Sequence, residues 1–105
     1  MANDPIPNGE GNVLEDVRNE VKEPDMWKVS LLNDDYTPRD FVVEILVSIF
    51  RKAPVEATRI MLEVHNTGRG MVGLYPYDIG RTKVSQVTML AREREFPLKT
   101  VLEKA

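Results

Sequence analysis

Three polar side chains, Asn33, Asp34 and Asp35, directly follow the apolar run that ends at Leu32. Burying charge beside a core is unfavourable unless the charge is paired. One interpretation is a simple turn, because Asn and Asp satisfy local backbone groups. The other is a binding site for a ligand with a positive head and an apolar body. An α-ammonium group is such a head, since it has three donors and no acceptor.

The single histidine of the chain, His65, falls near the predicted end of a helix. A neutral imidazole has one acceptor nitrogen, so His65 would complete an ammonium site if this helix end approaches the polar cluster. The alternative is a histidine with a purely structural role. The types of these four residues therefore leave both a binding site and a structural turn open.

Catalytic roles find little support in the sequence. Asp34 and Asp35 are neighbours, so on extended backbone their side chains diverge and do not form an acid–base pair. A serine nucleophile would have to be Ser30, Ser48 or Ser85, and none lies in a nucleophile motif. The glycines after His65 lack the spacing and the lysine of a phosphate-binding loop. We therefore expect no enzyme and no cofactor.

Composition excludes several other classes. The 105 residues contain no Cys and one His, which excludes thiolate zinc sites and multi-histidine metal sites. No apolar run approaches the roughly 20 residues needed to span a bilayer, and the N-terminus lacks the features of a signal or transit peptide. No dense basic stripe indicates nucleic-acid binding. We therefore expect a cytoplasmic protein that binds neither nucleic acid nor membrane.

The acidic residues are concentrated at the start of the chain. Residues 1–25 contain seven acidic and two basic residues, with three of the seven prolines. This segment has too few large apolar residues to offset the entropy of ordering. It is predicted to be a disordered acidic extension, either inert or carrying a weak helical stripe that orders on a partner. A single domain is predicted over residues 26–105.

The pattern within this domain predicts alternating elements. "MWKVSLL", residues 26–32, alternates as a half-buried strand does. Thr37 is expected to cap a first helix that has Pro38 in its first turn, Asp40 in a capping box and an end near Lys52. A second helix is predicted from Pro54 to residues 65–67, with Gly68 as a left-handed cap.

Three further elements complete the prediction. "GMVGLY", residues 70–75, is typical of a strand, and a third helix is expected over residues 78–94. Pro97 ends that helix, and "LKTVLEK" predicts a last strand. The order β-α-α-β-α-β predicts an α+β fold, a small sandwich in which three helices pack on one face of a three-stranded antiparallel sheet.

Four segments together resemble a known family. "NDDYTPRDFV" (residues 33–42), "MLEVHNTGRG" (residues 61–70), "TKV" (residues 82–84) and the final "LEKA" are similar to ClpS, the bacterial adaptor that delivers N-degron substrates to the ClpAP protease. The resemblance covers residues 26–105 in one register. It implies a non-enzymatic protein that holds the N-terminal Leu, Phe, Tyr or Trp of a substrate. We expect the protein to be a monomer.

The resemblance also implies roles for individual residues. The α-amino group would lie among Asn33, Asp34, Asp35 and His65. The wall of the apolar pocket would consist of Leu32, Thr37, Arg39, Val42, Met61, Val64 and Leu98. The face that docks on the N-terminal domain of the ClpA chaperone would include Tyr36, Asp78, Thr82 and Lys83. The acidic extension would be the segment that the unfoldase engages during delivery.

One residue departs from the family pattern. The position after "YTP" is commonly Met in the family and gates the pocket, whereas this chain has Arg39. An arginine can lie across the rim with its stem on apolar surface, so we expect altered specificity among bulky N-terminal residues. The competing hypothesis is a module that occupies the chaperone's docking site without binding N-degrons. Such a module would not need His65 or the Asn33–Asp35 cluster.

Overall fold

The structure is a computed structural model that describes residues 25–105. The predicted acidic extension therefore lies outside the described residues, except for Asp25. The described part contains three strands and three helices, in the predicted order β-α-α-β-α-β. Their bounds are β1 (Met26–Leu32), α1 (Arg39–Ser48), α2 (Pro54–Thr67), β2 (Arg69–Pro76), α3 (Tyr77–Glu93) and β3 (Lys99–Lys104).

The strands form one antiparallel sheet in the order β2-β1-β3. β1 is the central strand, and its Val29 and Leu31 are completely buried. Side chains two apart on a strand face the same side, so these two residues point toward the helices. The register between β1 and β2 shifts between Val29 and Ser30, which leaves Val72 without a direct partner. Such a bulge bends a strand and increases its twist.

The helices supply the other half of the core. Apolar residues of α1 recur at helical spacing, and those of α2 and α3 do the same, so each helix turns one face to the sheet. The α+β fold predicted from the sequence is confirmed. The buried apolar side chains are Val29, Leu31, Phe41, Val42, Ile45, Leu46, Phe50, Ala57, Ile60, Val64, Val72, Val87, Ala91 and Leu98.

The start of α1 differs from the prediction. The helix begins at Arg39, Pro38 holds the capping position, and no side chain caps the first turn. The hydroxyl of Thr37 instead donates to Oδ2 of Asp34 at 2.7 Å. The predicted Thr37 cap and Asp40 capping box are therefore wrong, because the hydroxyl of Thr37 is bonded to Asp34 in the preceding loop. The helix also ends at Ser48 and not near Lys52.

The end of α2 fixes the relative position of three elements. Gly68 follows the helix with φ 89°, the left-handed conformation predicted for it. Its carbonyl accepts a hydrogen bond from the backbone N–H of Asn33 at 3.0 Å. This contact holds the loop after β1 against the turn between α2 and β2. The Asn33–Asp35 cluster and the end of the His65 helix are thereby brought together, as the sequence hypothesis required.

None of the helices within residues 25–105 is both long and apolar enough to cross a bilayer.

Candidate functional site

A cavity of about 320 Å³ opens between the loop after β1 and the helices α1 and α2. This volume lies at the lower end of the roughly 300–1,000 Å³ that is usual for ligand sites. We call it the first cavity. Its lining residues are Asn33, Asp34, Asp35, Tyr36, Thr37, Pro38, Arg39, Val42, Met61, Val64 and His65.

Asp34 organises the loop that forms one wall of the first cavity. Its Oδ1 accepts hydrogen bonds from the backbone N–H of Tyr36 at 2.8 Å and of Thr37 at 2.7 Å. Its Oδ2 accepts the Thr37 hydroxyl. Partial burial opposes ionisation of Asp34, but these three hydrogen bonds outweigh it and lower the pKa of the carboxyl group. Asp34 therefore holds the loop through both of its oxygens.

Asp34→Ala is expected to lower the free energy of unfolding by about 0.5–2 kcal/mol, as loss of a comparable capping side chain does. We also expect ligand binding in the first cavity to weaken about tenfold, since the loop wall loses three hydrogen bonds. Asp34→Asn should keep most of both properties, because an amide oxygen can accept the two N–H bonds and the threonine hydroxyl can rotate to accept from the amide. Chemical denaturation and ligand titration measure the two effects.

The dependence on pH gives a second readout of Asp34. Folding lowers the pKa of Asp34. The ionised carboxylate therefore stabilises the folded protein fully at pH values above the pKa of Asp in the unfolded chain, which is about 4. That stabilisation is lost as the pH falls through the pKa of Asp34 in the folded protein. The stability advantage over Asp34→Asn should therefore shrink in acid below about pH 4. A stability difference independent of pH would contradict this role of the charge.

Asn33 and Asp35 present acceptors that the loop does not use. Both are exposed, and neither side chain forms a hydrogen bond with another residue of the described part of the chain. Both residues line the first cavity together with the apolar side chains of Val42, Met61 and Val64. This arrangement suits a donor-only group at the rim of the cavity.

His65 also lines the first cavity, and its side chain contacts Arg39. Nη2 of Arg39 is 2.5 Å from Nε2 of His65. A guanidinium group only donates hydrogen bonds, so Nε2 must be the acceptor and the proton of a neutral ring lies on Nδ1. The nitrogen expected to receive an ammonium group is thus already occupied by a cation of the protein itself. A ligand that uses Nε2 of His65 has to displace Arg39.

The apolar wall comes from both helices. Val42 of α1 and Val64 of α2 are almost fully buried, and Met61 is half-buried beside them. Two residues of the predicted wall lie elsewhere: Leu32 and Leu98 line a separate cavity near the start of β3. Leu32 ends β1 and pairs with Lys99 of β3, which lines the same separate cavity.

Three of the four residues predicted to dock on a chaperone, Asp78, Thr82 and Lys83, line one cavity on α3, and Tyr36 is not among its lining residues. Asp78 and Thr82 are exposed on α3, where the hydroxyl of Thr82 donates to the carbonyl of Asp78. Lys83 is largely engaged within the fold, because its Nζ donates to the carbonyl of Ile49 at 2.9 Å. Tyr36 is 80% exposed and lies in the loop of the first cavity.

The lining of the first cavity includes residues to which the sequence analysis gave no role there. Pro38 was considered only as a helix start, and Tyr36 only as a docking residue. Their position in sequence between Asp34 and Arg39 could have indicated this, since both of those residues were predicted to belong to the site and the loop between them is short. Within residues 25–105, no group of three or more potential ligand side chains could hold a metal ion.

Comparisons with known proteins give one consistent result. A family model described as ATP-dependent Clp protease adaptor protein ClpS matches residues 22–101. The adapter protein ClpS of Acetivibrio thermocellus is 58% identical over 84 residues, which cover 80% of this chain and 85% of that protein. The adapter protein ClpS of Shewanella piezotolerans is 53% identical over 94 residues, which cover 90% and 92%.

A solved structure is also similar. The structure of Agrobacterium tumefaciens ClpS2 bound to L-phenylalaninamide matches with a TM-score of 0.76 and 40% sequence identity. The match covers 79% of this chain and 100% of that chain. The names of these relatives describe adaptors and not enzymes.

Proposed function

The chain belongs to the ClpS family of Clp protease adaptor proteins, and from this premise we propose that it binds N-degrons and delivers them to the ClpA unfoldase. An N-degron is here a free α-amino group on a bulky apolar residue, Leu, Phe, Tyr or Trp. The protein performs no chemistry on the substrate, because recognition alone selects what the protease receives.

The observation that carries this proposal is the polarity of the first cavity. Unused oxygens of Asn33 and Asp35 lie at its rim, and Val42 and Val64 form an apolar wall within. L-Phenylalaninamide, the ligand of the similar structure from Agrobacterium tumefaciens, has the matching parts. It offers an α-ammonium group to the oxygens and an aromatic ring to the wall.

The expected affinity is moderate. Burial of a Leu or Phe side chain contributes roughly 1.5–3 kcal/mol. Hydrogen bonds that involve a charged group contribute about 1.5–3 kcal/mol each before the cost of immobilising the ligand is subtracted. One such side chain and two such bonds contribute about 4.5–9 kcal/mol before that cost, so we expect binding that is micromolar or weaker. Such affinity suits an adaptor that has to release its cargo.

Arg39 gives the site of this protein its own character. The guanidinium group that contacts Nε2 of His65 competes with the ligand's ammonium for that acceptor. Its positive charge also lies beside the position proposed for the ammonium group. We therefore assign Asn33 and Asp35 as the direct acceptors, Asp34 as the residue that fixes the loop, and His65 as an acceptor that becomes available when Arg39 moves.

Delivery requires contact with the chaperone. The proposed docking surface consists of Asp78 and Thr82 on α3, with Tyr36 on the loop. Lys83 lines the same cavity as Asp78 and Thr82, and its hydrogen bond to the carbonyl of Ile49 holds its side chain in place. We propose that residues 26–105 act as a monomeric adaptor domain and that the acidic residues 1–25 form the segment engaged by the unfoldase. The cytoplasmic location expected from the sequence stays a prediction.

Calorimetric titration with L-phenylalaninamide and with its N-acetylated form tests the proposed function. We expect saturable binding of the free amine with one ligand per chain. Absence of that binding would contradict N-degron recognition. Equal binding of the two ligands would show that the free amine is not recognised. It would favour the competing hypothesis, a module that docks on the chaperone without binding N-degrons.

Arg39→Met is expected to change the ranking of peptides that begin with Leu, Phe, Tyr or Trp. The substitution removes the guanidinium group from the rim and frees Nε2 of His65, so affinity should rise severalfold for some of these residues. Peptide titrations of both proteins measure the ranking. Arg81→Met on α3 is the matched control, since Arg81 lies outside the first cavity. An unchanged ranking in Arg39→Met would refute a gating role.

A further inference from the structure

Two further cavities lie beyond the loop that bounds the first cavity. The middle cavity has a volume of about 480 Å³, and Asn33, Asp34, Asp35, Tyr36, Leu32, Pro97 and Lys99 line it. The far cavity, of about 460 Å³, lies between the end of α3 and the start of β3. Both are larger than the first cavity, and the proposed function, which places the N-terminal residue of a substrate in the first cavity, assigns a ligand to neither.

The three cavities are connected through shared walls. The middle cavity shares residues 33–36 with the first cavity. It shares Leu32, Pro97 and Lys99 with the far cavity. The middle cavity therefore links the rim that holds the proposed amine acceptors to the start of β3. A chain that leaves the first cavity over Tyr36 enters this path directly.

The chemistry of the path changes along its length. Asp34 and Asp35 lie at the near end, where the middle cavity meets the first. At the other end, Phe96, Leu98 and Val101 form apolar walls, and the exposed side chains of Arg92 and Lys99 add two cations. A segment that fits this path carries an apolar side chain followed by an acidic group.

We propose that the middle and far cavities bind the residues that follow the N-terminal residue of the substrate, with a preference for an apolar residue followed by an acidic one. This inference rests on the proposed function, because the N-terminal residue has to occupy the first cavity. The site would make this adaptor read a short sequence and not a single residue.

An extended chain that continues from the first cavity would place residues three and four along this path. Each residue of an extended chain advances by roughly 3.4 Å, and alternate side chains point to opposite sides. With residue one in the first cavity, residue two crosses Tyr36. Residue three would then meet the apolar walls, and the charge of residue four would lie toward Arg92 or Lys99.

Calorimetric titration of the full chain with amidated peptides tests the inference. The peptides are L-phenylalaninamide, Phe-Ala-Leu-Glu-amide, Phe-Ala-Leu-Lys-amide and Phe-Ala-Ser-Glu-amide. Replacing Ser by Leu is expected to strengthen binding on the order of tenfold, since an apolar side chain becomes buried. Replacing Lys by Glu at the fourth position should strengthen it about two- to fivefold, the usual range for exposed ion pairs.

Charge-reversal variants locate the effect. Lys99→Glu and Arg92→Glu alter exposed side chains outside the first cavity, so both proteins should fold and bind L-phenylalaninamide as before. Each is expected to reduce the preference for Glu over Lys at the fourth position, and the double variant to reverse it. Arg81→Glu is the matched control, because it makes the same charge change on α3 away from this path.

The outcomes separate the two proposals. If L-phenylalaninamide does not bind, the proposed function is overturned and the inference with it. If it binds but the four-residue peptides bind no more tightly and show no difference at positions three and four, the inference alone is overturned. A preference that persists unchanged in Lys99→Glu and Arg92→Glu would also overturn it.

Discussion

N-Acetyl-L-phenylalaninamide is expected to bind at least about a hundredfold more weakly than L-phenylalaninamide, the largest change that we predict for a ligand. Acetylation replaces an ammonium group with three N–H donors by an amide with one. The oxygens of Asn33 and Asp35 then lose a cation, and two hydrogen bonds to a charged donor are lost at once. The Phe side chain and its contact with Val42 and Val64 stay the same, so the difference isolates the amine.

N-Methyl-L-phenylalaninamide provides the matched control for this prediction. It adds bulk at the nitrogen, as acetylation does, but keeps the positive charge and two donors. We expect it to bind closer to the free amine than to the acetylated ligand. If the acetylated ligand instead binds within about threefold of the free amine, charge-assisted hydrogen bonds do not carry recognition.

The elements of the fold were largely predictable from local pattern. The alternation in residues 26–32 and the left-handed Gly68 after α2 are both confirmed. These features depend on neighbours in sequence, because a strand's period and a helix cap are set within a few residues. The cap of α1 was mispredicted because Thr37 had two possible partners, and the choice between them depended on how the loop folds.

The residues that line the first cavity were easier to predict from the sequence than the contacts that these residues make. The sequence hypothesis treated Asn33, Asp34 and Asp35 as equivalent acceptors, yet Asp34 is engaged by three donors of its own loop. It treated His65 as a free acceptor, although Arg39 lies 26 residues away in sequence and contacts its Nε2. Which donor meets which acceptor depends on tertiary packing, and spacing along the chain carries no information about it.

The fate of Leu32 has a similar physical cause. The resemblance to ClpS implied that Leu32 belongs to the wall of the same pocket. A strand end, however, sends its last side chain to a side that depends on the pairing register. Pairing of Leu32 with Lys99 places it beyond the loop, where the middle and far cavities lie. Leu32 and Leu98, both predicted for the wall of the apolar pocket, thus line a separate cavity that was not predicted from the sequence.

Gly70→Ala is expected to lower the free energy of unfolding by about 1–3 kcal/mol, the largest effect on stability that we predict. Gly70 lies on β2 where the strand passes close to α2. A Cβ atom added there would be 2.6 Å from Cγ2 of Val64 and 3.3 Å from the carbonyl oxygen of Ile60. Valine in a helix has one strongly preferred rotamer, so Val64 cannot simply turn away. Chemical denaturation of both proteins measures the loss.

The contact with Val64 can be separated from the general cost of replacing a glycine. Val64→Ala removes the methyl group that the new Cβ would meet, so the double variant should be more stable than the sum of the two single losses predicts. Gly68→Ala serves as a contrast, because it meets no atom within 4 Å and is strained only through its φ of 89°. Strictly additive losses in Gly70→Ala and Val64→Ala would refute the steric account.

Because Val64 also forms the wall of the first cavity, Gly70→Ala should weaken phenylalaninamide binding, whereas Gly68→Ala should not do so through this contact. The close approach of β2 to α2 therefore links the stability of the fold to the shape of its binding site.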